Sequence, residues 1–318
     1  MQEMKAAKPD QTVLGIGIIL VSVLTMAFAD AVVKLVSADL TVWQVFVARS
    51  LVAIPCLVAI LLAMGVRLKL LSPKWALIRS ALLVATWLFF YASLPVLTLS
   101  VAAVAVYTNP IITALLSAIV IGEKVSGRQW AGVLLGFLGV IAILKPGTDA
   151  FSWFTVLPLI AAACYSLAMV LTRGKCQDEQ PLVLGLALHC LFLVTGAVAV
   201  GLLAVIGLDA GTIAALPFLF NGWTAMGGRE WGLMALLGVL SAAYFVGVAR
   251  AYQIAAPSII GTFDYAYLVS AAVWGFIFFA ETPDVFTICG MILITAAGLL
   301  VAVRPANRTA VAQKTDTA

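Results

Sequence analysis

The segments 100–132 and 258–290 of this chain align with each other without a gap. The alignment pairs Ser100 with Ser258, Tyr107 with Tyr265, Glu123 with Glu281 and Gly132 with Gly290. A repeat of this kind in an apolar chain is typical of membrane proteins built from two related halves. We therefore expect the last part of each half to adopt the same structure.

The composition places the chain in a membrane. Of its 318 residues, 64% are hydrophobic and only 10% are charged, so water cannot be the solvent for most of its length. The formal net charge is +4, and the basic residues are spread over short loops instead of forming one patch. The lipid bilayer is therefore an expected partner, whereas nucleic acid is not.

Ten apolar runs are long enough to cross a bilayer, which takes about 20 residues. They are 12–36, 41–64, 75–96, 99–121, 129–144, 153–171, 181–206, 231–252, 257–279 and 285–303. In hydrocarbon each run has to satisfy its own backbone polar groups, and none alternates as a barrel strand does, so each is predicted to be a helix. The predicted fold class is an all-α integral membrane protein with ten transmembrane helices in two inverted five-helix repeats.

The repeated segments lie five spans apart, and this odd offset predicts that the second half is upside down relative to the first. We expect the first five-helix repeat over 12–146 and the second over 147–303, between tails at 1–11 and 304–318. Two halves related in this way can exchange their arrangements, one open to each side of the membrane. The pattern therefore predicts alternating access.

The basic residues predict the side on which each loop lies. If the amino terminus is cytoplasmic, the inner segments carry Lys5, Lys8, Arg67, Lys69, Lys74, Lys124, Arg128, Arg173, Lys175, Arg304, Arg308 and Lys314. The outer loops then carry only Lys145 and Arg229. Cytoplasmic loops are enriched in Lys and Arg, so both termini are predicted to be cytoplasmic, in a multi-pass protein of the plasma (inner) membrane.

An alternative interpretation concerns the first span. Lys5, Lys8 and the triplet Ala27-Phe28-Ala29 resemble a secretory signal with its cleavage site. The apolar run continues to Val36, and cleavage would destroy the pairing of the halves. The first span is therefore expected to be retained.

Polar and aromatic side chains concentrate at mid-membrane depth in both halves. The paired residues Tyr107 and Tyr265 are expected to face each other across the pseudo-twofold axis that relates the two halves. Inverted-repeat carriers usually bind substrate near this axis. We predict a substrate cavity lined by Trp87, Tyr91, Tyr107, Asn109, Tyr165, Tyr244, Asp264, Tyr265 and Tyr267. Each of these could alone be ordinary packing, but their concentration in both halves favours a cavity.

Ionisable residues within spans are costly and are therefore candidates for function. Asp30 and Lys34 lie four residues apart with the acid first, which favours a helical ion pair, and Arg49 could compete for Asp30. Arg250 and Asp264 could pair across the turn between the eighth and ninth spans. Either these pairs only neutralise each other, or they gate the pathway and free an acid to bind a proton or an amino group.

Two further features concern the repeated segments. Glu123 and Glu281 follow the ends of spans, where a carboxylate is expected to cap the amino end of the next helix. Pro110, beside Asn109, is expected to kink its helix.

The sequence contains no pattern of an enzyme, a metal site or a cofactor site. His189 is the only histidine, and the five cysteines form no C-x-x-C pair. An H-E-x-x-H motif and a Walker motif are also absent. An intramembrane enzyme and an ATP-driven pump are therefore disfavoured.

The segment from Phe90 to Leu144 resembles the EamA-type repeat of the drug/metabolite transporter superfamily. The resemblance includes Pro110, the pair Gly122-Glu123 and the glycines Gly132, Gly136 and Gly139. Arg49 and Arg79 match arginines that this family carries on its second and third helices. The second copy departs from the pattern, since Leu268 replaces the proline and Ala280-Glu281 replaces Gly-Glu.

The resemblance implies a five-plus-five inverted arrangement, a central cavity and export or uptake of small metabolites. Multiply phosphorylated ligands usually require clusters of Arg or Lys, which the mid-membrane set lacks. We therefore expect a secondary transporter that exports neutral or aromatic amino acids, with protons as candidate coupling ions. Uptake of a metabolite such as riboflavin or S-adenosylmethionine is one alternative, and a non-transporting scaffold or helper subunit is another. The sequence leaves the oligomeric state open.

Overall fold

The computed structural model describes residues 11–37, 39–93, 106–144, 154, 156–279 and 285–302. Every regular element in these ranges is a helix. The helices are α1 (Thr12–Val36), α2 (Val42–Ala63), α3 (Pro73–Ser93), α4 (Asn109–Val120), α5 (Gly127–Leu144), α6 (Val156–Lys175), α7 (Pro181–Ile206), α8 (Ala210–Ala215), α9 (Pro217–Phe220), α10 (Gly228–Ile254), α11 (Pro257–Asp264), α12 (Ala266–Phe279) and α13 (Val285–Ala302). The all-α class predicted from the sequence is confirmed.

Seven helical segments in the described part of the chain are long and apolar enough to cross a membrane. They are α1, α2, α3, α6, α7, α10 and the segment Pro257–Phe279, which comprises α11 and α12. Asn109–Val120 and Ile288–Leu300 are shorter apolar helices. Large apolar side chains such as Val198 and Ile277 are more than half exposed, as expected where lipid covers the surface. The chain is thus a multi-pass membrane protein.

The segment 207–230, between the seventh and eighth predicted spans, contains two short helices, α8 and α9, that the sequence analysis did not predict. Asp209 caps α8, because its Oδ2 atom accepts a 2.9 Å hydrogen bond from the backbone of Thr212. Trp43 at the start of α2 donates a 2.7 Å hydrogen bond from Nε1 to the carbonyl oxygen of Leu219. The segment is therefore attached to the end of the helix bundle.

Two of the predicted spans are interrupted, and the interruptions fall at matched positions of the repeat. The ninth span divides into α11 and α12 at Tyr265. In the fourth span, α4 begins at Asn109 after a turn at Tyr107 and Thr108. The prediction that Pro110 kinks its helix is therefore wrong. Pro110 lies in the first turn of α4, where its missing N–H is not needed for helical bonding.

The packing of the helices relates the two halves of the chain. α3 packs on α6, and α1 packs on α10; in span order these contacts join the third span to the sixth and the first to the eighth. Exchanging the halves converts one of these contacts into the other. The contacts of α1 with α12 and of α6 with α4 correspond in the same way. Such exchange is the relation that a twofold axis between the halves would produce.

Hydrogen bonds show which ends of the helices lie together. The backbone N–H of Gln11 donates to the carbonyl of Ile254 at 3.2 Å, and Glu179 accepts from the backbone N–H of Leu71 at 3.1 Å. Arg128 Nε donates to the carbonyl of Leu300 at 2.5 Å. One end of the bundle therefore carries residue 11, the segments 64–72, 121–126, 176–180 and 254–257, and the end of α13. We call it the basic end, because Arg67, Lys69, Lys74, Lys124, Arg128, Arg173 and Lys175 lie there or in the adjoining helix turns.

Candidate functional site

A small internal cavity lies among α1, α3, α4, α6, α11 and α12. It is lined by Met26, Asp30, Thr86, Trp87, Phe90, Val106, Tyr107, Asn109, Tyr165, Asp264 and Tyr267. Its volume, measured as the space open to the centres of water molecules, is about 40 Å³. This volume holds a few water molecules. Both predicted halves contribute to the lining, and the helix interruptions border it.

Six of the nine predicted cavity residues line this cavity. They are Trp87, Tyr107, Asn109, Tyr165, Asp264 and Tyr267. Asp30, predicted as a gating or ion-pair residue, lines it as well. The sequence analysis missed Met26, Thr86, Phe90 and Val106, because such side chains inside an apolar helix give no signal that separates cavity lining from packing.

Asp30 is bound by two tyrosines. Its Oδ1 atom accepts a 3.2 Å hydrogen bond from Tyr91 Oη, and its Oδ2 atom accepts a 2.8 Å hydrogen bond from Tyr267 Oη. Tyr91 comes from α3 and Tyr267 from α12, so the carboxyl group connects three helices. Tyr91 itself does not line the cavity; it lies behind Asp30 and packs on Trp87 with ring centroids 5.3 Å apart.

Asp264 is the last residue of α11 and is only 3% exposed. Its Oδ2 atom accepts a 2.7 Å hydrogen bond from Tyr252 Oη. Its Oδ1 atom is buried and has no hydrogen-bonding partner within the described residues. The indole N–H of Trp87, the amide oxygen of Asn109 and the hydroxyl of Tyr165 also lack partners there. The cavity wall therefore contains several unsatisfied polar atoms, each of which costs free energy unless water or a ligand binds it.

Tyr107 and Tyr265 were predicted to face each other, but the partner of Tyr107 is Tyr267. Tyr107 stacks on Tyr267, with ring centroids 5.0 Å apart and planes inclined by 26°. Tyr265 points elsewhere, because side chains two residues apart leave the chain in different directions. Its hydroxyl donates to the carbonyl of Val133 at 3.3 Å, and a Cβ atom on Gly136 would come within 2.3 Å of its ring. Tyr265 thus packs on α5, where only a glycine leaves room for it.

Within the described residues, Asp30 and Asp264 have hydrogen-bonding partners other than the cations of the predicted ion pairs. Asp30 is bound by tyrosines, and the Lys34 ammonium lies 4.2 Å from the centre of the Phe279 ring. Arg250 is exposed whereas Asp264 is buried, so these two residues do not pair. The reason is helical geometry: Arg250 and Tyr252 are two residues apart on α10, and it is Tyr252 whose side of the helix faces Asp264.

Arg49 does not line the cavity. It is only 1% exposed, and its guanidinium lies between the rings of Phe46 and Phe192, at 5.0 Å and 4.4 Å from their centres. Tyr244 lies beside this group and interacts with Arg49 electrostatically. It packs on Phe245 with ring centroids 4.4 Å apart, and so is not part of the cavity wall either.

The capping role predicted for Glu123 takes a different form. Its carboxylate accepts a hydrogen bond from the hydroxyl of Ser258, near the start of α11, and not from the following helix. Gln129 Nε2 donates to the same hydroxyl oxygen at 3.0 Å. These bonds join the two predicted halves at the basic end. Glu281 lies outside the described residues.

Residues 13–145 match the model of the EamA-like transporter family. These residues form an EamA-like domain. The match covers the first of the two predicted repeats, and the curated relatives extend the similarity over most of the chain. The family and these relatives are transporters of the drug/metabolite transporter superfamily and not enzymes.

Three relatives show how far the similarity of this chain extends. The pseudopaline exporter CntI of Pseudomonas aeruginosa is 26% identical over 275 residues, which cover 86% of this chain and 90% of the relative. A riboflavin transporter of Rhizobium johnstonii is 26% identical over 70% of this chain and 67% of its own length. An S-adenosylmethionine uptake transporter of Rickettsia prowazekii is 23% identical over 68% of this chain and 66% of its own length.

A solved crystal structure shares the fold. It superposes with a TM-score of 0.70 over 96% of this chain and 98% of the other, at 16% identity. The relatives are named as transporters of small molecules, and the similarity to them indicates that this chain is a small-molecule transporter as well.

Proposed function

We propose that this EamA-type transporter exports neutral or aromatic amino acids and related amphipathic metabolites by alternating access. The observation that carries the proposal is that the cavity lies where matched helices are interrupted, at Tyr107 and Tyr265. In inverted-repeat carriers, interrupted helices present their ends to a substrate site near the bilayer midplane. Because the cavity has room for a few waters only, it has to widen when a metabolite enters.

The polarity of the helix ends at the cavity supports a zwitterionic substrate. α4 begins at Asn109, so the positive end of its dipole lies at the cavity, and α11 ends at Asp264 with the negative end. The carboxylate of an amino acid would face the positive end of α4, and its ammonium group would face the end of α11. The rings of Trp87, Tyr107 and Tyr267 would then contact its side chain.

The contacts between the halves support a rocking movement of 12–146 against 147–303. At the basic end, Ser258 of the second half is bonded to Glu123 of the first half, so an opening at this end has to break this contact. We place the basic end, and with it both termini, in the cytoplasm because basic loops are retained there. The membrane would then be the inner membrane.

Efflux from proteoliposomes tests the proposal. Vesicles containing the protein are loaded with labelled tryptophan, phenylalanine or leucine, and with riboflavin and S-adenosylmethionine in parallel. We expect an aromatic amino acid to leave faster than from protein-free vesicles, and the substitution Trp87→Ala to slow efflux about tenfold, which corresponds to about 1.4 kcal/mol. Trp223→Ala is the matched control, because Trp223 is exposed on the segment outside the bundle.

The same assay separates the other functions. Uptake is the main alternative, since one relative is named an S-adenosylmethionine uptake transporter. Faster movement of riboflavin or S-adenosylmethionine than of any amino acid would support that alternative. If no solute in the panel moved, the amino-acid proposal would be wrong and a non-transporting scaffold would be favoured.

Asp30 and Asp264 are the candidate carriers of a coupled proton. Each is bound by tyrosine hydroxyls inside the cavity region, and an intramembrane carboxyl group is a typical proton site. We expect a pH gradient imposed across the vesicles to drive efflux, and Asp30→Asn to reduce the dependence. A flux that ignores the gradient would indicate facilitated diffusion.

A further inference from the structure

We infer that Asp264 and the amide oxygen of Asn109 form the binding site for a protonated amine on the transported molecule, which we call the amine seat. The inference rests on the proposed function and names the chemical group that the cavity recognises. Asp264 and Asn109 line the same cavity, and the helices that carry them, α11 and α4, pack against each other.

The position of Asp264 favours a positive ligand. Its carboxyl group lies at the junction of α11 and α12, inside the membrane-spanning segment Pro257–Phe279, where an ionised side chain is costly. Asp264 is only 3% exposed. Tyr252 donates a hydrogen bond to only one of its two carboxyl oxygens. A buried carboxylate is unfavourable unless a positive charge or a proton compensates it.

The two cavity carboxylates differ in the partners that they already have. Both oxygens of Asp30 accept hydrogen bonds from tyrosines. Oδ1 of Asp264 and Oδ1 of Asn109 accept no hydrogen bond from the described residues within normal bonding distance, although the Tyr165 hydroxyl lies close enough to Asp264 to interact with its carboxyl group. An ammonium group carries three donors and no acceptor, so it matches this pair of free acceptors.

The charge of the cavity wall points to the same class of ligand. Among the lining residues within the described ranges, the charged types are two aspartates, and Lys, Arg and His do not occur. Two buried arginines lie behind this wall and do not line the cavity. Arg49 lies between two phenylalanine rings and interacts electrostatically with Asp30, and Arg79 Nε donates to Thr172 Oγ1 at 2.7 Å; each keeps guanidinium N–H groups without a partner in the described residues. A ligand with an unpaired carboxylate therefore finds no ionic partner in this wall.

The aromatic lining would stabilise a cation further. Trp87, Tyr107 and Tyr267 present aromatic rings to the cavity, and ring faces attract ammonium groups by cation–π interaction. Ring faces do not attract a carboxylate, so the start of α4 is the feature of the wall that favours this group, and it carries no full positive charge. The wall thus selects the amine end of an amino acid, and the amine should suffice for binding.

Thermal stabilisation of the detergent-purified protein tests this with three probes of one ring system. Tryptamine carries only the amine, L-tryptophan carries the amine and the carboxylate, and indole-3-propionate carries only the carboxylate. A ligand that binds the folded state raises the apparent melting temperature. We expect tryptamine and tryptophan to raise it at pH 7 and indole-3-propionate to leave it unchanged.

Substitutions at Asp264 and Tyr252 test whether these residues form the amine-binding site. Asp264→Asn should raise the half-saturating concentration of tryptamine about tenfold or more, as expected for loss of one charge-assisted hydrogen bond. Tyr252→Phe frees the second oxygen and retains the charge, so tryptamine should bind at least as tightly as to the wild type. Asp209→Asn is the control, because Asp209 caps α8 outside the bundle and should have no effect.

Equal stabilisation by indole-3-propionate and tryptamine would overturn the inference, as would stabilisation by none of the three probes. Unchanged tryptamine binding by a folded Asp264→Asn protein would overturn it too. The comparison of probes in the wild-type protein decides the matter even if this variant does not fold. Continued tryptophan efflux with any of these results would leave the transport function standing and reject only the amine seat.

Discussion

Tyr267 Oη donates a 2.8 Å hydrogen bond to Oδ2 of Asp30 and so joins α12 to the first helix of the chain. Tyr267→Phe removes this bond between the predicted halves. A buried hydrogen bond to a carboxyl group contributes about 1–3 kcal/mol, so we expect a lower melting temperature of the purified protein. Tyr91→Phe, which removes the longer 3.2 Å bond to Oδ1, should cost less, and a larger loss there would contradict the geometry.

The contact between Ser258 and Glu123 should control access from the basic end. Ser258→Ala removes a hydroxyl that donates to Glu123 and accepts from Gln129. We expect a cysteine placed at position 86 in the cavity wall, in a background without the native cysteines, to react faster with a polar maleimide in this variant.

The matched control for that experiment is Ser37→Ala. The Ser37 hydroxyl donates to the carbonyl of Lys34 within its own helix end, at the opposite end of the bundle. Its removal should leave the labelling rate unchanged. Equal rates in Ser258→Ala and the parent protein would mean that the contact does not hold this end closed.

The fit between Gly136 and Tyr265 should make Gly136→Ala destabilising. The added Cβ atom would lie 2.3 Å from the tyrosine ring, closer than any stable contact, so overpacking of about 1–3 kcal/mol is expected. The exposed Gly17 has nothing within 4 Å of such a Cβ atom, and Gly17→Ala should be neutral or stabilising by up to about 1 kcal/mol. Melting temperatures of the two variants measure the difference.

A double variant gives a second check of the same contact. In the background Tyr265→Ala, the ring that obstructs the new methyl group is absent. The destabilisation by Gly136→Ala should therefore largely disappear, as non-additivity between touching residues requires. Additive effects would place the ring elsewhere.

Cys176, which follows α6 at the basic end, should react only at high pH. Burial raises the pKa of its thiol from an ordinary value of 9.0 to about 11, and the thiolate is the reactive form. In the folded protein, the absorbance of the thiolate, measured in a variant in which the other four cysteines are replaced, should titrate with a midpoint near pH 11 instead of pH 9. Since the folded-state pKa is raised, this thiol favours the native state below pH 9 and loses that contribution as the pH rises toward 11. A midpoint near pH 9 in the folded protein would show that the thiol is not buried.

The sequence by itself determined the solvent of this protein, its helical class and the small set of residues from which a cavity could be made. Apolar runs of membrane-spanning length can only be helices in hydrocarbon, and each predicted span contains a helix of the structure. Trp87, Asn109 and Asp264 were identifiable because polar atoms in such runs are costly and are therefore few.

Only the tertiary structure decided which of these residues meet. A helical pattern gives the angle between side chains on one helix, but it does not say which neighbouring helix lies opposite each face. For this reason Tyr252 and not Arg250 reaches Asp264. Tyr265 and Tyr267 are two residues apart and point in different directions. Tyr267 therefore stacks on Tyr107, whereas Tyr265 packs against α5 where Gly136 leaves room for its ring.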